Sequence, residues 1–149
     1  MSFSEKINND LKQAMLAREK EKLEAIRAVK TAFILARSDK GAGSELTEAE
    51  EIKILQKLVK QRKDSAAIYS EQNRKDLYEK EMVEAAVIEA YLPAQMSEAE
   101  IKTIVQKIIV ETGAQGMKDM GKVMGTATMK LAGKAEGKKV SEIVKELLK

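Results

Sequence analysis

The chain has 149 residues, 34% of them charged and 44% hydrophobic, with one proline and a formal net charge of +3. It contains neither cysteine nor histidine, which excludes disulfides, thiolate metal sites, a cysteine nucleophile and every arrangement that needs an imidazole base. That composition fits a helical protein of one domain or two small ones, and no apolar run reaches the ~18 residues of a bilayer span.

The N-terminus, MSFSEKINND, is polar and acidic by its fifth residue, so no signal peptide is expected there, and the absence of cysteine makes a reducing cytoplasm the expected compartment. A first helix starts at Ser2 or Ser4 and places Ile7, Leu11 and Met15 on one face. A second carries Leu23, Ile26, Val29 and Phe33 at helical spacing. Around Arg18–Lys20 neither glycine nor proline marks the turn between them. Residues 38–46, SDKGAGSEL, read as a loop. Thr47 with Glu50 forms a capping box that opens a long third helix with Ile52, Leu55, Val59, Ala66 and Tyr69 in stripe. The basic run Lys60-Gln61-Arg62-Lys63-Asp64-Ser65 falls where that stripe lapses. The chain turns at Gln72–Lys75, and Tyr78, Met82, Ala85, Ile88 and Leu92 line a fourth helix.

Pro93 marks a break, because proline disfavours helical geometry in the residue before it. Residues 1–95 hold 17 basic and 17 acidic side chains, whereas residues 96–149 hold 10 lysines and 7 acids. All five arginines and all five aromatics lie before the break. The expected organisation is therefore all-α, with an N-terminal bundle of about four helices (1–95) and a C-terminal three-helix subdomain (96–149). Ser97 with Glu100 makes a capping box, and Met96 with Ile101 a hydrophobic staple, starting a helix that carries Ile101, Ile104, Val105, Ile108 and Ile109 and stops at Gly113. The next helix lies within residues 117–132, with Met117, Met120, Met124, Ala127 and Leu131 on one side. The last follows Gly137 and buries Val140, Ile143, Val144 and Leu147.

Residues 113–139 hold six of the eight glycines, six lysines and two acids, Asp119 and Glu136. Lys118 and Lys122 share a helical face; Lys130, Lys134, Lys138 and Lys139 follow across a loop carrying Gly133 and Gly137. Clustered lysine attracts phosphate, though lysines also serve solubility. Gly121-x-x-x-Gly125 has two readings: close helix packing, or a bare backbone that another backbone can approach. With no aromatic nearby there is no platform for unpaired bases, so a nucleic acid held here is expected to be read by shape and phosphate. Catalytic residues, metals and cofactors are not expected.

KQRKDS at 60–65, Arg74-x-Asp76-Leu77, Lys80-Glu81, the YLPAQMS boundary at 91–97 and MKDMGKVMG at 117–125 occur in this order. Together they resemble the GatB/YqeY family over essentially the whole chain, and most closely its free-standing YqeY-type members. The resemblance implies an N-terminal helical bundle and a C-terminal three-helix subdomain. The C-terminal part is also similar to the tail domain of the B subunit of tRNA-dependent amidotransferase, which contacts the body of tRNA and does no chemistry. Carried over, it implies a tRNA-contacting surface of Lys118, Lys122, Lys130, Lys134, Lys138 and Lys139, supported by Gly121 and Gly125. The large catalytic domain of that subunit has no counterpart in these 149 residues, so a carbon–nitrogen ligase label would be inherited from the tail alone. The leading expectation is thus a non-catalytic accessory protein that binds tRNA or other structured RNA. Its rivals are a protein-interaction module docking through the N-terminal bundle, and a component acting in trans in a glutamine-dependent amidotransferase.

Overall fold

The computed structural model describes residues 2–149 and, among them, contains helices and no strand. Seven α-helices follow in order: α1 (Phe3–Ala17), α2 (Lys20–Lys40), α3 (Glu48–Glu71), α4 (Lys75–Glu89), α5 (Glu98–Thr112), α6 (Met120–Lys130) and α7 (Gly137–Leu148), with a 3-10 turn at Met117–Asp119 leading into α6. The chain divides into two compact units, the first ending at Leu92 and the second beginning at Pro93.

In the first unit, local chemistry sets the helix ends. Ser2 caps α1: its hydroxyl accepts from the Glu5 amide at 3.2 Å, and the Glu5 carboxylate accepts from the Ser2 amide at 3.0 Å. Thr47 and Glu50 repeat the arrangement at the start of α3. Each box satisfies amides that a helix start otherwise leaves without partners. Arg18 ends α1 in the left-handed region (φ 56°), its amide donating to the carbonyls of Ala14 and Met15. A left-handed arginine is uncommon, which is why no residue type announced this turn.

α3 and α4 form the most extensive helix pair; α2 packs on α4, and α1 on α2. Ile7, Ala14, Ile26, Val29, Phe33, Leu55, Val59 and Ile88 make the core between them. Where the stripe of α3 lapses, Arg62 takes the inward position. Its guanidinium lies 3.9 Å from the Glu84 carboxylate on α4, and both side chains are largely buried. Burial pushes the Glu84 carboxyl above its ordinary range, and Arg62 pulls it back only in part. The flanking lysines face outward and pair within the same unit, Lys60 with Asp64 and Lys63 with Glu89. At the far end, the Tyr91 hydroxyl donates to Asp10 at 2.6 Å, and the Lys6 ammonium sits 5.4 Å from the ring centroid. Burial first, and then the Asp10 carboxylate, push the Tyr91 phenol above its ordinary range.

The second unit is three helices around Ile101, Val105, Ile108, Val123, Ala127, Leu131, Val140, Ile143, Val144 and Leu148. Several expected faces are rotated or shortened. Met15 is 54% exposed, and Ala14 takes the buried place one residue earlier. α2 runs on through Ser38–Lys40 and stops only at Gly41, so the expected loop at 38–46 begins three residues later. Tyr78 and Met117 are exposed, Met117 because it belongs to the 3-10 turn rather than to α6. Ile104 is only partly covered, and Val123 supplies the buried contact of α6 between the partly covered Met120 and Met124. At α5 only half of the expected box forms: Ser97 Oγ accepts from the Glu100 amide at 3.2 Å.

These burials order three substitutions in the second unit. Ile108→Ala removes a fully buried side chain and is expected to cost about 2–5 kcal/mol. Ile104→Ala should cost clearly less, and Lys107→Ala on the exposed face should stay within about 0.5 kcal/mol. Denaturant unfolding of the three variants checks the order.

Candidate nucleic-acid interface

α6 has to bury Val123 and Ala127, one turn apart, against α5 and α7. At helical spacing that turns Gly121 and Gly125 to the opposite side. Both are exposed, and a Cβ built on either one meets no atom within 4 Å. The packing explanation of this glycine pair is therefore removed: neither sits against a neighbouring helix, and neither faces inward. Each costs an exposed helix about 0.5–1 kcal/mol relative to alanine.

The six lysines fall into two groups. Lys122 Nζ donates to the Thr112 carbonyl at 3.1 Å, and Lys130 Nζ pairs with Glu111 at 3.2 Å. Both tie α6 to the end of α5. The Thr112 carbonyl is one of those a helix terminus leaves unpaired, and a cation there also meets the negative end of the helix dipole. Gly113, left-handed at φ 69°, closes the same terminus through its amide. Lys118, Lys134, Lys138 and Lys139 form no ion pair among the described residues. The nearby acid Asp119 is held by its own loop, accepting from the Gln115 amide at 2.9 Å.

Backbone contacts hold the loop that carries Lys134. The Met96 amide donates to the Lys134 carbonyl at 2.9 Å, and the Gln95 side-chain amide donates to the Gly133 carbonyl at 2.9 Å. The boundary segment thus positions Lys134. α7 opens without a side-chain cap and without an acid in its first turn, which instead holds Gly137, Lys138 and Lys139. Cations at a helix N-terminus oppose the dipole, while the uncapped amides there attract anions. The bonds of Lys122 and Lys130 were not legible in the sequence, because their partners lie 10 and 19 residues away.

The model of the family described as Yqey-like protein matches residues 4–148. Among curated relatives, proteins named "Altered inheritance of mitochondria protein 41, mitochondrial" are similar to this chain. The one from Pyrenophora tritici-repentis is 31% identical over 147 residues, covering 93% of this chain and 79% of its own length. That from Meyerozyma guilliermondii is 34% identical over 122 residues, covering 80% and 63%. The Clavispora lusitaniae protein is 39% identical over 95 residues, covering 62% and 54%. The matched region thus spans less than two thirds of the last two relatives.

The division of the lysines has a measurable consequence. Lys122→Ala removes the partner of the α5 terminus and is expected to lower stability by about 0.3–1 kcal/mol. Lys118→Ala should leave the melting temperature unchanged. Thermal unfolding followed by circular dichroism distinguishes the two.

Proposed function

The chain belongs to the YqeY-like family, and from that premise we propose that it is a non-catalytic accessory protein that holds tRNA or another structured RNA by its phosphates. The contact surface is the Lys/Gly face of the second unit: Lys118, Lys122, Lys130, Lys134, Lys138 and Lys139 around Gly121 and Gly125. The observation that carries this reading is the open glycine pair on α6. Two helix glycines that weaken the helix and pack against nothing make sense where another backbone must come close. Lysines supply charge without the planar fork with which arginine reads guanine, so the surface recognises a folded phosphate backbone rather than a base sequence. Lys118, Lys134, Lys138 and Lys139 carry the charge most readily given to phosphate; Lys122 and Lys130 contribute by exchanging their internal partners. The cytoplasmic placement expected from the absence of cysteine belongs to this proposal, whereas the relatives named above are mitochondrial by name.

A second reading is favoured by one observation in the first unit. α1 and α2 leave Met15, Leu16, Ile34 and Leu35 more than half exposed, which suits docking on a protein partner. The third, a component in trans of a glutamine-dependent amidotransferase, requires glutamine-dependent amidation of misacylated tRNA in a reconstituted mixture.

Fluorescence anisotropy with a labelled, folded tRNA separates the first two. Binding should weaken steeply with salt, and Lys118→Glu with Lys138→Glu should cost more than about tenfold, equally for tRNAs of different sequence. The same reversal at the exposed Lys12 and Lys53 in the net-neutral first unit should cost far less. Absence of binding at low salt, or equal losses from both pairs, would pass the function to the protein-docking reading.

A further inference from the structure

At one end of the first unit, the N-terminus of α1, the last turn of α2 and the loop from Gly41 to Leu46 enclose a cavity of about 640 Å³. That volume is in the range of small-molecule sites, roughly 300–1,000 Å³. Its wall is unusually polar for a cleft of this size. Ser2, Ser4, Ser38 and Ser44 contribute hydroxyls, and Arg37, Glu45 and Glu51 contribute charges.

The charges are arranged in a specific way. Arg37 donates through Nη2 to Ser4 Oγ, which fixes the guanidinium while leaving most of its five donors without a side-chain partner among the described residues. Glu51, on the first turn of α3, lines the same cavity, yet it forms no ion pair with Arg37 among the described residues. Burial pushes the Glu51 carboxyl above its ordinary range, Arg37 draws it back, and Glu48 and Glu45 push it further. The neighbouring Lys40 cannot neutralise it, being committed to Glu50 at 2.9 Å and to the Glu45 carbonyl at 2.9 Å. A cation and a carboxylate thus line one cavity without forming an ion pair among the described residues, each partly withdrawn from water. Two lining carboxylates oppose a simple anion, and the guanidinium opposes a simple cation.

We propose that this cavity is a binding site for a small zwitterion of the free amino-acid type, its carboxylate on Arg37 and its ammonium toward Glu51. The serine hydroxyls complete the polar contacts, and the loop that begins at Gly41 joins the two helices that carry the charges. The site lies wholly within the first unit and is independent of the lysine surface of the second.

Two-dimensional amide NMR of the intact protein, titrated with glycine at millimolar concentrations, tests this. Acetate and methylamine serve as the two half-ligands. Saturable shifts are expected for amides around Arg37–Leu46 and Glu51, with acetate and methylamine each binding at least about tenfold more weakly than glycine. Arg37→Gln and Glu51→Gln should each weaken glycine by a similar factor. The comparison of the three probes on the unaltered protein needs no variant and holds even if a substitution disturbs folding. No saturable shift with glycine or with larger amino acids, or either half-ligand binding as well as glycine, would overturn the assignment.

Discussion

The second unit stands on one constraint: a piece of 57 residues (Pro93–Lys149) without an aromatic side chain has to make its core from aliphatic side chains, chiefly Ile, Val and Leu. Small units bury a low fraction of their surface, so each of the three helices commits one full stripe inward. Ile101, Val105 and Ile108 on α5, Val123 and Ala127 on α6, and Val140 and Val144 on α7 are that commitment. Once Val123 and Ala127 point in, helix geometry leaves no choice about what points out. Gly121 and Gly125 are set on the exposed side, and Lys122 is brought to the end of α5, where it closes the Thr112 carbonyl. The exposed face of α6 is therefore the complement of the core, and its orientation is as firm as the packing behind it.

The first unit solves a different problem. Its long α3 breaks the apolar stripe at Arg62, and α4 answers with Glu84. A partly buried ion pair gains little net stability over apolar packing, but removing either partner would leave the other charge unmatched. The pair thus ties α3 to α4 at one register. Lys60 and Lys63 make their own bonds on the outside. The basic run is engaged with its own bundle, which distinguishes it from the lysines around α6 and α7, four of which have no acidic partner among the described residues.

Much of this was legible from residue types. Thr47 with Glu50, Ser97 and Gly113 mark helix ends through chemistry that acts within a few residues; Thr47 with Glu50 and Gly113 act as the pattern implies, and Ser97 caps α5 without the return bond from Glu100. Faces whose periodicity was carried by large apolar side chains, such as Ile26, Val29 and Phe33, are buried as expected. Misplacements occurred where local signals are silent. Arg18 turns the chain without a glycine, and Ala14 rather than Met15 continues the inward face of Ile7 and Leu11. For the candidate surface, composition located the segment but could not say which way its glycines faced. That depends on which side of α6 meets α5 and α7, a long-range fact. The cavity beside Arg37 was invisible for the same reason: Ser4, Arg37 and Glu51 are far apart in the chain, and no motif joins them.

If Gly121 and Gly125 serve approach by another backbone rather than packing, converting both to alanine separates folding from binding. Nothing within 4 Å opposes the added methyl groups, so the double variant should be more stable, by about 0.5–1 kcal/mol per site. This stabilised protein should bind folded tRNA more weakly than the original, as expected of a backbone-approach role. Tighter folding with undiminished tRNA affinity, measured side by side, would contradict it.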